Sequence, residues 1–428
     1  MKRCDFERVY LQSESRIYPQ ETVSSVLQCI KAPNQREEII TLSKRRNFLS
    51  HRKALQDVTF FFDTLKRCYS GYDFFYPGDG GEIIKREIEK KIESTVFGVT
   101  NRKLCNWISE LLSGTINDSH FTLSVCNREW RFFSKKVAYV TDLVVRKQSE
   151  EVYEVAVGNE VFKKGTNLKR DSLQDYLMPT LVVLDDYKKT DSFYLLGKYT
   201  KEETAFVVID GIKVPTHQIR SDFAKSENKN RFENKEDLVV VTHTTYDMPY
   251  EETLINAYCD EGRKASEKSN VILNLSGNGG GKSAFVSAFY KGLSGLDNTF
   301  FREAALPFPW ELKDGKKTYS IEEEIIKQKG NYDGTLYVVM NKATGSSAEM
   351  GVAPSYQLKN SIRVGSATFG CCTFGDCPLY QLPNSKIIFS FGCKVFFHEA
   401  FEEGDGFLPD YWIDDEDPVK VVERYIMQ

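Results

Sequence analysis

A glycine-rich stretch in the second half of the chain has the residue types of an anion-binding loop. Residues 271–285 read VILNLSGNGGGKSAF, an apolar run followed by glycines, a Lys-Ser pair and a second apolar run. A strand, a glycine-rich turn and a helix start in this order place free backbone N–H groups around an anion, as in a phosphate-binding P-loop. Gly281, Lys282 and Ser283 match the end of the P-loop pattern, but Ser276 stands where its first glycine should be. The stretch therefore predicts an anion site without identifying the anion.

A phosphate site of this kind also needs an acidic residue later in the chain. A nucleotide hydrolase holds Mg²⁺ with an Asp at the end of a strand that follows the loop. The best candidates here, Asp185 and Asp186 in LVVLDD, precede the loop. Lys282 is then expected to be a surface lysine rather than a phosphate ligand. We therefore favour an anion that forms during a reaction over a bound nucleotide.

A second junction of strand and helix carries a candidate nucleophile. Residues 335–351 read TLYVVMNKATGSSAEMG, an apolar run followed by small residues. A serine at such a junction lies beside free N–H groups and the positive end of a helix, which stabilise an oxyanion. The same residues also fit a capping box, in which Ser346 caps the helix and Glu349 reaches back to it. Taken alone, this segment favours the capping interpretation.

The composition limits the class of protein. The chain has 428 residues, of which 41% are hydrophobic and 28% charged, and a net charge of −4. Its length predicts two or three domains. The net charge argues against a nucleic-acid-binding face, and no apolar run reaches the roughly 18 to 20 residues of a membrane span. The first residues, MKRCDFERVYLQ, show no leader pattern, so we expect a cytoplasmic location, or an extracytoplasmic or secreted one if a leader was removed.

The ten cysteines are scattered through apolar segments. Their spacing matches neither a zinc site nor a small disulfide scaffold, so most are expected to be buried reduced thiols. The cluster CCTFGDC at 371–377 is the exception, but no histidine lies near it in sequence to complete a set of metal ligands. We expect neither a metal nor another cofactor.

Three kinds of pattern follow one another along the chain and predict its domains. From about residue 50, apolar residues recur at helical spacing and predict three amphipathic helices. Short runs such as VAYVTDLVV and SFYLLGKY then predict a mainly β region. After the polar run 220–238, strands alternate with helices, as in βαβ units. The predicted domains are an N-terminal helical helper domain over 1–125, a mainly β middle domain with a linker over 126–235 and an α/β domain over 236–428.

Four ordered motifs in the α/β region resemble one family, the C-terminal-processing (tail-specific) serine peptidases. VILNLSGNGGG resembles their glycine loop DLRGNGGG, and YVVMNKATGSSAE resembles their nucleophile segment vLvn..t.SAAE. RVGSATFG resembles iiGe.TfG, and EEGDGFLPDYWI resembles vE..GvaPDi.v. SGTINDSHFTL, after the predicted helices, is similar to l.DgHt.l in the N-terminal helper region of the family. The resemblance implies a crotonase/ClpP-like βαβ catalytic domain and a serine peptidase.

The resemblance implies a role for each motif. Ser346 would be the nucleophile, and the anion at the glycine loop would be the oxyanion of a tetrahedral acyl intermediate. The backbone N–H groups of Gly279 or Gly280 and of Ser347 would form the oxyanion hole. The processing branch of the family takes a lysine base after TFG, where this chain has Cys371. The lysine dyad is therefore absent.

The tricorn-like branch of the family takes a histidine base from the helper region instead. Ser119 and His120 match that histidine and the serine before it, and Glu403 lies three residues before the G..PD motif. The resemblance implies that His120 takes the proton of Ser346 and returns it to the leaving amine. Ser119 and Glu403 would then hold the imidazole.

Alternatives to these roles stay open. His120 can be an ordinary turn histidine, and Glu402 or Glu399 can take the place of Glu403 in the acidic run HEAFEEGDG. The remaining histidines have no motif support and are expected to be structural: His51, His217, His243 and His398.

The sequence also departs from the family pattern. Asn274 and Ser276 stand where the glycine loop usually carries Asp and Arg, which removes an ion pair that would support the loop. Pro354, soon after the nucleophile, predicts a short or kinked helix. The middle region shows no PDZ signature of the kind that captures a substrate C-terminus.

Two functions of different classes follow from these observations. The first is a serine peptidase that acts on a peptide or protein substrate. The second is a catalytically silent relative that binds a peptide or small ligand, as the retinoid-binding members of the family do. Retention of Ser346, His120 and the glycine loop favours the peptidase, and the sequence leaves the substrate and the oligomeric state open.

Overall fold

The structure is a computed structural model, and contacts group its chain into two compact units with separate cores. The helical unit comprises Met1–Ser134, Phe301–Glu324 and Cys371–Glu399, and the sheet unit comprises Lys135–Phe300, Ile325–Gly370 and Ala400–Gln428. The residues that the structure describes are 1–12, 16–29, 36–224, 229–296, 302–308, 311, 316–322 and 329–428.

The α-helices vary in length from one turn to five. They are α1 (Arg3–Phe6), α2 (Gln20–Cys29), α3 (Arg36–Ser43), α4 (His51–Cys68), α5 (Tyr72–Phe75), α6 (Gly80–Glu93), α7 (Asn101–Leu112), α8 (Glu252–Ser266), α9 (Ala284–Ser294), α10 (Glu349–Val352) and α11 (Pro418–Met427).

Most strands are short. They are β1 (Arg16–Ile17), β2 (Phe48–Leu49), β3 (Val99–Thr100), β4 (Asp118–Val125), β5 (Arg128–Phe132), β6 (Val137–Lys147), β7 (Val152–Val157), β8 (Asn167–Lys169), β9 (Leu177–Thr180), β10 (Phe193–Thr200), β11 (Phe206–Ile209), β12 (Ile212–Pro215), β13 (His217–Gln218), β14 (Arg231–Asn234), β15 (Leu238–Thr242), β16 (Asn270–Asn274), β17 (Arg302–Ala305), β18 (Lys316–Lys317), β19 (Ser320–Glu322), β20 (Thr335–Met340), β21 (Ser361–Gly365), β22 (Phe374–Gly375), β23 (Leu379–Gln381), β24 (Ile388–Ser390), β25 (Lys394–Phe397), β26 (Phe401–Glu402), β27 (Gly406–Phe407) and β28 (Tyr411–Trp412).

Three amphipathic helices frame the helical unit, as the apolar spacing predicts. α4 buries Val58, Phe61 and Leu65 on one face, and α6 buries Ile88 and Ile92. α7 adds a third apolar face to the same core. Residues three and four apart lie on one side of a helix, so each helix buries an apolar face. α4 also buries two charged residues, Asp57 and Arg67.

The segment 371–399 belongs to the helical unit by its contacts. Its strand β24 pairs with β4, and Phe389, Phe391 and Val395 are buried in the helical core. The sequence pattern alone places this segment in the α/β region. Its aromatic side chains are instead buried with the helices, whose apolar faces need a cover.

One large mixed sheet runs through the sheet unit. Its strand order is β14-β15-β16-β20-β21-β28-β9-β10-β6-β7-β8. From β15 to β28 the neighbouring strands are parallel, whereas β9, β10, β6, β7 and β8 pair antiparallel. The apolar runs in β15, β16 and β20 are buried on both faces, as expected for parallel strands.

The sequence predicts a mixed α/β fold, and the structure confirms it. Strands of the predicted middle domain and of the predicted α/β domain share the large sheet. In the polar run predicted as a linker, residues 225–228 lie outside the described residues, and β14 forms the sheet edge just after them. The crotonase/ClpP-like assignment and the three-domain division stay predictions. Among the described helices, none has the length and apolarity to cross a membrane.

Candidate active site

Side-chain amides hold the glycine loop that follows β16. Asn278 Oδ1 accepts the Gly280 N–H at 2.9 Å, and Asn278 Nδ2 donates to the His243 carbonyl at 2.9 Å. Asn341 Oδ1 accepts the Gly277 N–H at 3.1 Å. Both asparagines are almost fully buried, where each such bond is costly to leave unmade. The loop is therefore held in place by neutral amides.

Asn274 and Ser276, the two positions that depart from the family pattern, take part in the hydrogen bonding of the loop as neutral residues. Asn274 is buried at the end of β16, and its Oδ1 accepts the Ser276 N–H at 3.0 Å. A short polar side chain bonded to the backbone two residues on is a turn-forming arrangement. The missing ion pair is thus replaced by a local turn.

Glycine is required where this loop approaches the nucleophile segment. Gly280 has φ +101°, and a Cβ added to it would lie 2.7 Å from the Gly345 carbonyl oxygen and 2.8 Å from Ser346 Cβ. Real Cβ atoms do not approach backbone atoms this closely, so only glycine fits. The close approach brings the loop directly against Ser346.

Ser346 has a strained backbone. It follows β20 and opens a 3₁₀ turn, Ser346–Ala348, with φ +53°. The left-handed region costs a residue with a Cβ roughly 1–2 kcal/mol. Such strain at a turn from strand to helix exposes the side chain, as in the nucleophile elbow of other hydrolases. Ser346 is half-buried.

A buried carboxylate fixes this turn. Glu349 is fully buried, and its Oε2 accepts the Ser346 N–H at 3.0 Å. Its Oε1 accepts the Thr368 hydroxyl and the Gly370 N–H, both at 2.6 Å. The reach-back half of the predicted capping box is therefore present. Ser346 lies inside the turn with a left-handed φ, whereas a capping residue has extended backbone.

Two backbone N–H groups, one in the glycine loop and one in the serine turn, have no protein acceptor in the described part of the chain. They belong to Gly279, which is exposed, and to Ser347. The Gly280 N–H, the other candidate, is taken by Asn278. The Ser347 hydroxyl donates to the Gly281 carbonyl at 2.7 Å and ties the turn to the loop. The N–H groups of Gly279 and Ser347 are therefore the candidates for the predicted oxyanion hole.

The turn that carries Glu403 is joined to the Glu349 network. Glu403 is buried in the turn between β26 and β27, whereas Glu402 is exposed. The Gly404 N–H donates to the Gly370 carbonyl at 2.8 Å, and the Phe407 N–H donates to the Thr368 hydroxyl at 2.8 Å. The segment 368–370 therefore bonds both to Glu349 and to this turn.

Ser119 and His120 lie in a bulge of the helical unit. β4 pairs with β5 at Asp118 and again at Thr122, and the register shifts between these two positions. Such bulges redirect side chains and are common beside active sites. Ser119 is buried, and His120 is half-buried.

A buried acid also fixes this bulge. Asp118 is fully buried; its Oδ1 accepts the His120 N–H at 2.8 Å, and its Oδ2 accepts the Tyr69 hydroxyl at 2.8 Å. Burial and this carboxylate raise the pKa of Tyr69 well above its usual value, so the phenol stays protonated and donates. Asp118 thus anchors the backbone of His120.

The predicted residues fall into both units. Ser346, Ser347, Gly279, Gly280 and Glu403 belong to the sheet unit, within which the first four lie together. Ser119 and His120 belong to the helical unit.

Sequence reasoning missed three supporting side chains, Asn278, Thr368 and Asp118. Asn278 lies between glycines, where asparagine is a turn former, and that signal could have been read. Thr368 and Asp118 act through partners distant in sequence, and no local pattern marks them.

The remaining candidates have structural partners. Lys282 is exposed and donates to the Met248 carbonyl, which accords with a surface lysine. His243 Nδ1 lies 2.9 Å from the Tyr246 hydroxyl, and its Nε2 lies 3.2 Å from the Glu261 carboxylate. His51 Nε2 lies 2.8 Å from the Thr95 carbonyl.

One cluster has the composition of a metal site but contains a guanidinium. Asp142, His217 and Asp414 lie close enough to share an ion. Arg220 bonds to Asp142 at 2.7 Å and to Asp414 at 3.1 Å, and so already neutralises these carboxylates. We therefore assign the cluster to ion pairing.

All ten cysteines are free thiols. Burial raises the pKa of Cys29 to about 12 and that of Cys68 to about 12, which makes both thiols unreactive.

Comparisons with known proteins find similar solved structures but no similar sequence. No family model and no curated protein matches the sequence. Among solved structures, it is similar to a candidate peptidase from Parabacteroides merdae, at 11% identity over 89% of this chain and 96% of that one with a TM-score of 0.45. It is also similar to mature CPAF complexed with lactacystin, at 12% identity over 88% and 97% with a TM-score of 0.44. A third is the photosystem II D1 C-terminal processing protease, at 12% identity over 88% and 97% with a TM-score of 0.40.

Two of the similar structures, the D1 C-terminal processing protease and a candidate S41 protease from Bacteroides fragilis, are described as proteases of the family that the motifs of this chain resemble.

Proposed function

We propose that the protein is a serine peptidase in which Ser346 attacks the carbonyl carbon of a peptide bond. The observation that carries the proposal is the left-handed Ser346, held at the end of a strand and pressed against a glycine loop. A capping serine needs neither the strain nor the loop. Strain at a single side chain that borders free amide donors is typical of a positioned nucleophile.

The oxyanion formed by this attack would be bound by backbone amides. The N–H groups of Gly279 and Ser347 are the donors, and each contributes about 3 kcal/mol in the transition state. The bond from the Ser347 hydroxyl to Gly281 holds one donor at a fixed position relative to the other. Donors held in this way would need little reorganisation when the negative charge forms.

His120 would be the general base. Its imidazole takes the Ser346 proton as the C–O bond forms and returns that proton to the leaving amine, a contribution of roughly 10²- to 10⁴-fold. Water then attacks the acyl-enzyme with His120 as base again, which releases the acid and restores Ser346. Ser119 and Glu403 would orient the imidazole and balance its positive charge. Support for this role comes from the bulge, anchored by Asp118, that carries His120.

A fluorophosphonate probe tests the proposal, because it phosphonylates an activated serine hydroxyl. We expect peptide mapping to locate the modification at Ser346. Ser346→Ala should abolish it, and His120→Ala should slow it by about 10²-fold or more. Ser283→Ala and His217→Gln are the matched controls, since each changes the same residue type outside the proposed site, and both should label at the normal rate.

Hydrolysis of a fluorogenic peptide mixture is the second measurement. We expect turnover that the Ser346→Ala and His120→Ala variants lose together. A folded protein whose Ser346 stays unmodified, and which binds peptides without cleaving them, would contradict the peptidase and support the silent binding protein.

A further inference from the structure

The helical unit contains two adjacent apolar side chains that are almost fully exposed. Val96 is 80% exposed and Phe97 83% exposed, and the two are neighbours in the short segment between α6 and β3. Phe48, in the adjacent strand β2, is 57% exposed. Single exposed apolar residues are normal on a protein surface, but adjacent and almost fully exposed ones mark an interaction site.

The local fold brings three helix ends to this place. β2 pairs with β3, with Phe48 opposite Thr100, so α4 and α7 both begin directly beside the pair. His51, the first residue of α4, bonds through Nε2 to the Thr95 carbonyl and hydroxyl at 2.8 Å. Thr95 follows the end of α6. The segments 44–53 and 90–103 therefore form one surface, which we call the basic tip.

The basic tip is strongly positive, although the whole chain has a net charge of −4. Its two segments contain nine lysines and arginines and a single acid, Glu93. Eight of these cations are exposed, and among the described residues none of the eight has an ion-pair partner. They are Lys44, Arg45, Arg46, Arg52, Lys53, Lys90, Arg102 and Lys103.

The positions of these charges are unfavourable for the helices that carry them. Arg52 and Lys53 lie in the first turn of α4, and Arg102 and Lys103 in the first turn of α7, and neither turn contains an acid. Cations at a helix N-terminus oppose the helix dipole and so lower the stability of the helix. Lys103 lies over the Trp107 ring, 4.9 Å from its centroid, whereas Arg52, Lys53 and Arg102 have no ion-pair partner among the described residues. A local arrangement that lowers stability with little compensation indicates a function outside the fold.

We propose that the basic tip binds an anionic lipid surface. Lysine and arginine side chains near such a surface are attracted to its headgroups, and each contributes about 1 kcal/mol. Val96 and Phe97 would enter the boundary between headgroups and acyl chains, while the cations around them remain at headgroup level. Aliphatic and aromatic side chains at a loop tip fit lipid better than a phosphate backbone, which offers them no apolar partner. The association is peripheral and requires no membrane-spanning helix.

Vesicle sedimentation of the full chain tests this proposal. We expect binding to vesicles of equimolar phosphatidylcholine and phosphatidylserine, no binding to phosphatidylcholine alone, and weakening as salt is raised. Arg52→Gln combined with Lys53→Gln should lower the partition coefficient about thirty-fold. Val96→Ser combined with Phe97→Ser should lower it about tenfold at unchanged salt dependence.

Matched pairs elsewhere on the chain serve as controls. Phe206→Ser with Val208→Ser removes a Phe and a Val that are 41% and 40% exposed on β11, and it should leave binding unchanged. Lys264→Gln with Lys359→Gln removes two exposed cations from other surfaces. Failure to bind anionic vesicles, equal binding to neutral ones, or loss in a control equal to that in a tip variant would overturn the proposal. Tighter binding to a duplex oligonucleotide than to vesicles would overturn it in favour of nucleic acid.

Discussion

The turn that carries Ser346 and the bulge that carries His120 differ in backbone conformation but are fixed in the same way. In each, a fully buried carboxylate accepts the N–H of the candidate catalytic residue: Glu349 from Ser346 at 3.0 Å, and Asp118 from His120 at 2.8 Å. Glu349 has two further donors, one of them a backbone N–H, whereas Asp118 has the Tyr69 hydroxyl. Glu349 thus ties the serine turn to the segment 368–370, and Asp118 ties the histidine bulge to Tyr69 at the end of α4.

The largest effect is expected when Glu349, which fixes the Ser346 turn, is replaced. Glu349→Gln replaces a carboxylate oxygen with an NH₂ group that faces an N–H donor. We expect the free energy of unfolding to fall by about 3–5 kcal/mol, as when a buried charge network loses a member. Phosphonylation of Ser346 should slow by two orders of magnitude or more, because the turn loses its geometry. Denaturant titration and labelling rates measure both, with the exposed Glu402→Gln as the control. A change in neither quantity would contradict the role given to Glu349.

The histidine side should be less sensitive. Asp118→Asn keeps one carbonyl acceptor, so we expect a loss of about 1–3 kcal/mol in unfolding free energy. Labelling should slow while still occurring at Ser346. Tyr69→Phe, which removes only the hydroxyl donor to Asp118, should cost about 1 kcal/mol. If Asp118→Asn proved more damaging than Glu349→Gln, the asymmetry between the two anchors would be wrong.

Replacing the nucleophile with glycine measures the strain directly. Glycine adopts φ +53° without a Cβ penalty, so Ser346→Gly should be more stable than Ser346→Ala by about 1 kcal/mol. Both variants lack the hydroxyl and should be inactive. Paired denaturant titrations give the difference, and an alanine variant as stable as the glycine variant would mean that the turn relaxes.

The contact between the turn and the glycine loop is expected to matter less. Ser347→Ala removes the hydroxyl that donates to Gly281, so we expect a loss of about 1 kcal/mol in stability. Labelling of Ser346 should slow about threefold to tenfold, because the amide donors remain but are less well fixed. Ser283→Ala is the control for the loss of a hydroxyl nearby, and an equal effect there would remove the special role of Ser347.

The smallest effect is expected at His243, whose carbonyl accepts a hydrogen bond from Asn278 of the glycine loop. Burial lowers the pKa of His243 below its ordinary 6.5, so the folded protein keeps this imidazole neutral. As the pH falls through 6.5, the unfolded chain takes up the proton first, and stability is lost on the acid side. The free energy of unfolding therefore falls as the pH is lowered from 7 to 6. His243→Gln should flatten that slope relative to the control His51→Gln, and an unchanged slope would show that His243 does not cause it.

Local patterns predicted the elements of this fold better than their grouping. The spacing around Phe61, Ile88 and Leu104 predicted α4, α6 and α7, and the apolar runs predicted β15, β16 and β20, because each signal lies within one element. The grouping of segment 371–399 with the helices depends on rings that meet across long sequence distances. No periodicity reports such contacts.

The candidate site shows the same division. The glycines and Ser346 could be found in the sequence because their chemistry needs those residue types at one position. The contacts that support the site could not be found in this way. Glu349 bonds to Thr368 and Gly370, some twenty residues later in the chain, and Asp118 bonds to Tyr69 at the end of α4. The same residues fit a helix-capping box and a turn that is fixed by a buried carboxylate. Only the φ angle of Ser346 distinguishes the two arrangements.

A crystal structure of the phosphonylated protein tests the central claim most directly. We predict the phosphonyl group on Ser346 Oγ, with one phosphonyl oxygen accepting the N–H groups of Gly279 and Ser347. The His120 imidazole should lie about 2.6–3.2 Å from Ser346 Oγ or from the phosphonyl group. An adduct whose oxygen meets neither amide, with the imidazole of His120 on a different surface, would contradict the account.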